Sequence, residues 1–162
     1  MLLDKTGRVL YADPLRDSVD LGDRSLQGAL FKGFALDGLE LSGSDLRGSD
    51  FTNCRLYWVD LFNANCNGCL FNGAVLEGAN LKSACFCNAD FSGAKIGADH
   101  LGKVSSLAHS NLTGAKLTDA VLKGTEYDAK TIFPADFDPQ KHGMVLVPIV
   151  DNWLVLPKCD VA

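Results

Sequence analysis

A chain of 162 residues with 47% apolar content is one domain with ample material for a continuous core. A net charge of −5 argues against a general polyanion binder, and no window approaches the roughly 18 uninterrupted apolar residues that a membrane span needs. The opening residues do not read as a signal peptide. Six cysteines are many for a reducing cytosol and tilt the compartment toward one where disulfides persist, although three of them fall on inward positions where they serve as small apolar filler.

In chain order, residues 1–18 come first. Leu2-Leu3 and Val9-Leu10-Tyr11 flank Asp4-Lys5-Thr6-Gly7, a pattern that predicts a hairpin with a glycine-bearing turn. An open solenoid end exposes unpaired backbone, so this hairpin is expected to cap the first coil, and Asp13-Pro14 then breaks regularity.

From residue 19 to 133 an apolar residue returns at every fifth position. One phase runs from Leu21, Leu26 and Phe31 through Phe51, Phe71 and Phe91 to Ile96 and Leu101; after a slip of one residue it resumes at Leu107 and continues through Leu112, Leu117, Leu122, Tyr127 and Ile132. A small residue such as Ser44, Ala64 or Ala89 sits two places earlier, whereas Phe34 and Leu39 are large there, as expected near an end with no neighbour to fill it. Neither the helical nor the strand period gives this pattern, so a repeat architecture is required. If four pentads make a square turn, Phe31, Phe51, Phe71 and Phe91 form one column, Leu21 to Leu101 a second, and Leu36, Leu56, Leu76 and Ile96 a third. About 23 pentads in five to six coils then span on the order of 27 Å. Glycines from Gly28 to Gly93 recur two places after the inward residue, where a corner could demand positive φ.

The pentads Ser44-Asp45-Leu46, Ala79-Asn80-Leu81, Ala89-Asp90-Phe91 and Ser110-Asn111-Leu112 resemble those of the pentapeptide-repeat family. That resemblance covers roughly 70% of the chain and implies an all-β fold, a right-handed quadrilateral β-helix with terminal caps. It implies little about function, which resides in sites.

Within the solenoid, Tyr57, Trp58 and Phe62 take positions that usually carry polar residues. They read either as an aromatic docking patch or as a surface covered by the apolar C-terminal segment. Cys66-Asn67-Gly68-Cys69 has C-x-x-C spacing, but the pentad register turns both thiols inward, so core filler or an internal disulfide is favoured over a catalytic dithiol or a zinc site with Cys54. Asp99, His100 and Lys103 crowd into the slip; with His109 they make a weak metal-ligand set, and a solvated bulge is the preferred reading. No catalytic residue, cofactor or metal site is assigned, because no histidine has a recognisable partner motif.

Residues 134–162 form a C-terminal cap and tail. Asp138 as N-cap, Pro139 at the first helical position and Gly143 beyond the end predict a one-turn helix. The ending Thr131-x-Phe133-Pro134-x-x-Phe137-Asp138-Pro139-x-x-x-Gly143 is similar to that of pentapeptide-repeat proteins of cyanobacteria and plastids. Val145 to Val150 and Trp153 to Leu156 are expected as two strands about Asp151-Asn152. A tail capping the last coil would block end-to-end stacking and leave a monomer. Cys85 and Cys87 straddle inward Phe86 and point outward, and the tail can return roughly 10 Å along the axis to bring Cys159 to either of them. Three unpaired surface thiols remain the alternative.

Two function classes follow. One is a non-enzymatic structural or protein-interaction module of a photosynthetic compartment, which the resemblance places in the chloroplast thylakoid lumen, or else in a cyanobacterial cytoplasm or periplasm, and whose outward cysteines would make it redox-sensitive. The other is the DNA-mimicking gyrase inhibitor known from quinolone-resistance members of the family. Outward positions give one acidic face, with Asp20, Glu40, Asp60, Asn80 and His100, and one basic face, with Arg55, Lys95 and Lys116. Such a surface suits an as yet unidentified protein partner better than mimicry of a nucleic acid.

Overall fold

The computed structural model describes residues 2–4, 9–11, 20–150 and 159. Most pairing in it is between single residues. Four ladders of isolated parallel bridges rise through the chain at a spacing of twenty residues: Asp20, Glu40, Asp60, Asn80; Ser25, Asp45, Asn65, Cys85; Leu30, Asp50, Leu70, Asp90; and Ala35, Arg55, Val75, Lys95. Each bridge is made by two backbone hydrogen bonds, as where Phe51 N–H donates to Leu70 O at 2.7 Å and Leu70 N–H to Ser49 O at 3.0 Å. Four bridges per twenty residues make each coil four-sided, a β-helix-type solenoid.

The residue after each bridge points inward. Phe31, Phe51, Phe71 and Phe91 stack with centroids 4.5, 5.0 and 4.8 Å apart and rings within 7° of parallel, close to the inter-strand repeat itself. Phe86 meets Phe71 and Phe91 edge-on from the adjacent side. The small residues two places before each inward position are buried too, and the polar ones have a defined task. Ser44 Oγ donates to Leu21 O, Ser49 Oγ to Leu26 O and Cys54 Sγ to Phe31 O, in each case 23 residues back. These interior carbonyls thereby gain a partner in a setting without water.

The Asp or Asn that precedes each inward residue faces outward and ties its own corner. Asp50, Asp60 and Asp90 each accept the backbone N–H two residues on, at 2.8 to 3.0 Å. The Ser92 hydroxyl, working against partial burial, and then the Ser92 N–H, Asn72 and Lys116 hold the Asp90 carboxyl down at about 2. Corner residues then take positive φ. Gly28 to Gly93 lie between 64° and 77°, and Asn53, Asn63 and Asn88 occupy the same place, as their short polar side chains allow.

The regular spacing fails twice, and both failures correct the sequence reading. Leu101 is 74% exposed and not inward. The ladder passes from Asn80 directly to Ser106, so Leu107 takes the inward position that follows Ile96 and stacks on Leu81. The segment between closes on itself through an antiparallel bridge from Ala98 to Val104. What spacing alone shows as a slip of one residue is a whole inserted loop. Similarly Ile132, 51% exposed, pairs with Asn111 and lies outside, while Phe133 packs against the core. The outward stripes shift accordingly. Ser106 and not His100 continues the acidic ladder, which then reaches Glu126; Lys116 stacks beyond Asp90, and Val121 follows Lys95.

At the N-terminal end β1 (Leu2–Asp4) and β2 (Val9–Tyr11) pair antiparallel, and β1 also pairs with β3 (Ala29–Leu30), which seats the hairpin against the first coil. The turn residues between them and Asp13-Pro14 lie outside the described residues. At the other end a single 3₁₀ turn spans Gln140–His142, with Asp138 accepting the Gln140 N–H at 3.0 Å and Gly143 left-handed at φ 69°. The expected long strand from Val145 shortens to β5 (Val145–Leu146), parallel to β4 (Glu126–Tyr127). Pro148 removes a donor, and β4 itself ends where the coil turns. The second expected strand, with its Asp151-Asn152 turn, lies outside the described residues.

Because Phe51 and Phe71 are fully buried between other rings, Phe51→Ala and Phe71→Ala should each lower stability by roughly 3–5 kcal/mol in urea melts. Both variants matching the parent would refute the phenyl column.

Candidate functional site

The side of the solenoid that carries Asp20, Glu40, Asp60, Asn80, Ser106 and Glu126 is bordered by irregular structure at both corners. At the corner before the ladder, Trp58 adopts φ 58°, a conformation that costs a bulky residue about 1–3 kcal/mol. Its indole lies over Gly78, where an added Cβ would stand 2.7 Å from the ring. From there the indole N–H donates to the Asp99 carboxylate in the inserted loop. Asp99 also accepts the Leu101 and Lys103 N–H groups, both at 2.8 Å. The Trp58 indole, against the opposing effect of burial, and the two backbone donors hold its carboxyl below the usual range. Asp99 is therefore a buried anchor and not part of a solvated bulge. The loop is thus clamped, with exposed Leu101 at its tip. Tyr57 and His100 flank the indole, with ring centroids 5.9 and 6.5 Å away.

At the opposite corner the C-terminal segment forms a groove of about 410 Å³, lined by Phe62, Lys82, Ser106, Ala108, His109, Glu126, Asp128, Val147, Pro148 and Val150. The aromatic trio of the sequence reading is therefore divided: Trp58 and Tyr57 adjoin the loop, and Phe62 adjoins the C-terminal segment. His109 pairs through Nδ1 with Asp128, which also accepts the His109 and Lys130 N–H groups and the Thr131 hydroxyl, each at 3.0 Å. Burial alone would raise the Asp128 carboxyl, but those donors outweigh it and hold the group below the usual carboxylate range. His100 and His109 thus belong to different corners and do not form one ligand set. Ser106 Oγ is buried at the groove with no hydrogen-bond partner among the described residues. A nucleophile requires its base within hydrogen-bond reach, so Ser106, His109 and Asp128 do not form a triad. The His109–Asp128 pair went unread in the sequence although its 19-residue separation is the ordinary one between a corner and the next coil, as from Asn63 to Lys82.

The acidic residues on this side carry two roles. Asp20, Glu40 and Asp60 each accept a backbone N–H two residues on at 2.8 to 2.9 Å, and Asp60 also accepts both 3.1 Å contacts from Asn80 Nδ2. Each side chain remains outward. On the basic side Arg55 is taken up by Asp37 at 2.6 Å, which leaves Lys95 as the remaining cation of that ladder.

On the next side stands a cluster of thiols. Cys85 and Cys159 are joined as a disulfide with their Cα atoms 5.5 Å apart, and Cys87 is a free thiol beside them. The sulfurs of all three lie within 4.8 Å of one another. Cys54, Cys66 and Cys69 are buried free thiols. Burial pushes Cys54 up to about 11 and Cys66 well above the ordinary thiol range, which suits inert filler and not a reactive C-x-x-C pair.

Two substitutions probe these corners. Trp58→Phe removes the indole donor to Asp99, so trypsin should cut after Lys103 roughly 10- to 100-fold faster, the loss of a charge-assisted hydrogen bond. An unchanged cleavage rate would mean that the indole does not hold the loop. Asp128→Asn should cost about 1–3 kcal/mol near neutral pH. The folded carboxyl lies below its unfolded value, so its contribution is complete above about pH 4 and disappears as pH falls further. Urea melts of both proteins should converge on acidification; a gap constant with pH would show that the Asp128 charge is not involved.

Comparison with known proteins bears on the fold. Copies of the pentapeptide repeat, eight in all, match residues 17–53, 25–61 and 54–93. No match was found among curated protein sequences. Among solved structures, a pentapeptide repeat protein from the thylakoid lumen of Arabidopsis thaliana is 29% identical over 59% of this chain and 66% of its own, with a TM-score of 0.48. One from Nostoc is also 29% identical, over 73% of this chain and 84% of its own, with a TM-score of 0.35. A plasmid-mediated fluoroquinolone resistance protein aligns at 15% identity over 80% and 87% of the two chains, with a TM-score of 0.35. No helix among the described residues is long and apolar enough to cross a membrane. With the pentads in its sequence, the twenty-residue ladders in its structure and the repeat copies matched, the chain belongs to the pentapeptide-repeat family.

Proposed function

We propose that the protein is a non-enzymatic interaction module of a photosynthetic organism, in the chloroplast thylakoid lumen or else in a cyanobacterial cytoplasm or periplasm, acting as a single chain. The observation that carries this reading is the bordered acidic side. Asp20, Glu40, Asp60 and Glu126 stand in one ladder between a clamped loop at one corner and an apolar groove at the other. Such a side offers a rigid trough with fixed negative charge to a cationic segment of a partner protein. The lineage rests on the ending from Thr131 to Gly143, and a redox-sensitive tail rests on Cys159 seated at Cys85.

DNA mimicry fits less well on charge density. B-DNA presents a negative charge about every 1.7 Å along its axis. The ladder offers at most one per rung of roughly 4.8 Å, and Asn80 and Ser106 interrupt it.

The test combines capture with an enzyme assay. Asp20→Asn, Glu40→Gln and Asp60→Asn together keep the oxygen that ties each corner and remove only the charge. A partner captured from a photosynthetic extract should associate roughly tenfold more slowly with this variant at low salt. Equal association would refute the acidic side as the contact. Inhibition of gyrase supercoiling by the parent at sub-micromolar concentration would replace the interaction reading with the mimicry one.

A further inference from the structure

Cys85 and Cys87 flank inward Phe86, so both side chains leave the same strand on its outer side, yet both are buried. Their positions are set by backbone: Cys85 sits in the ladder between Asn65 and Asn111, and the Cys87 N–H donates to Asn67 Oδ1 at 3.2 Å. Cys159, 74 residues beyond Cys85, supplies the third sulfur, and the three lie within 4.8 Å of one another. With the Cys85–Cys159 bond closed, Cys87 has no role in it. Opening the bond leaves three thiols converging on one point.

We propose that the reduced form of this cluster binds one thiophilic divalent cation of the zinc class through Cys85, Cys87 and Cys159. A tetrahedral zinc holds its thiolates at about 2.3 Å, which puts them roughly 3.8 Å from each other. The bonded pair has to open and Cys87 to close in by no more than about 1 Å to reach that spacing. Charge selects the divalent ion. Three thiolates with a monovalent cation would leave two uncompensated negative charges in a buried setting, and a divalent cation leaves one. Cys159 is only half-buried, so solvent can supply the fourth ligand.

The chemistry proceeds in two steps. A dithiol reductant gives two electrons and two protons to the disulfide and becomes a disulfide itself, while Cys85 and Cys159 become thiols. The cation then forms three metal–sulfur bonds and displaces three protons to solvent. Because the metal displaces thiol protons, binding weakens as pH falls. The inference shares with the redox reading only the seating of Cys159 beside Cys85, and does not depend on what the tail's docking does.

The test uses the full chain, reduced with a phosphine and titrated with Cd²⁺ alone while the thiolate-to-cadmium charge-transfer band is followed. A parallel Zn²⁺ titration in weak buffer counts protons. The expected result is saturation near one ion per chain, release approaching three protons, and affinity at least about tenfold lower before reduction. Cys87→Ser should retain the Cys85–Cys159 link in non-reducing peptide maps and lose the band. Cys159→Ser, a change near the end of the chain, should lose it as well. Persistence of the band in both variants would assign the metal to the core thiols and overturn the proposal, as would no band in the reduced parent. Free Cys159 in the oxidised parent would end the redox reading, and the cadmium stoichiometry would still judge the metal site by itself.

Discussion

Each coil is joined to the next by one bridged residue per side and one corner N–H, as from Gly33 to Thr52 O, and every other feature of the solenoid answers that constraint. A single bridge supplies two hydrogen bonds and no long strand, so pairing alone does not fix register. Register comes from the interior, where like side chains stack at the spacing of the backbone rungs, and from the corners, where the chain has to turn after each bridged residue. The phenyl column shows the first device. The Asp and Asn carboxyl or amide oxygens that accept N–H groups two residues on show the second. Interior Ser, Thr and Cys side chains complete the arrangement by satisfying carbonyls that point into a dry core.

This explains why so much of the fold was legible in the sequence. An apolar residue every five positions, a small one two places earlier and a glycine two places later each correspond to one physical requirement of the coil. The pattern misled where composition continued after geometry had changed. Leu101 and Ile132 are apolar and in phase, but spacing does not record where a backbone N–H goes. At Leu101 the N–H is bound by the Asp99 side chain, and at Ile132 by Ser110 O, one residue out of the assumed register. The anchoring of the loop by Trp58 was beyond sequence reasoning because it joins residues 41 apart through a strained corner.

The candidate site was less legible than the fold. Asp20, Glu40 and Asp60 were readable as an outward acidic stripe, yet their role as corner ties appears only in the folded chain. The same residue type therefore serves two ends, and surface charge here is partly a by-product of the turn. The irregular corners carry the distinguishing information. A tryptophan where glycine or asparagine would be comfortable, and a buried aspartate paired with His109, have no place in the repeat. They lie at the two margins of one side.

The placement of Cys159 beside Cys85 has a consequence for how the solenoid comes apart. A stack whose coils touch only their immediate neighbours opens by fraying, with the terminal coil leaving first and the next exposed in turn. With the link closed, the chain from Cys85 to Cys159 is a covalent ring of the last coils and the tail. Confining that ring lowers the entropy of its open state by the equivalent of roughly 4 kcal/mol. The C-terminal coils then have to open together and not one at a time. Reduction would restore end-wise fraying there and leave the N-terminal coils as they were, so the two halves of one uniform repeat would differ in amide hydrogen exchange.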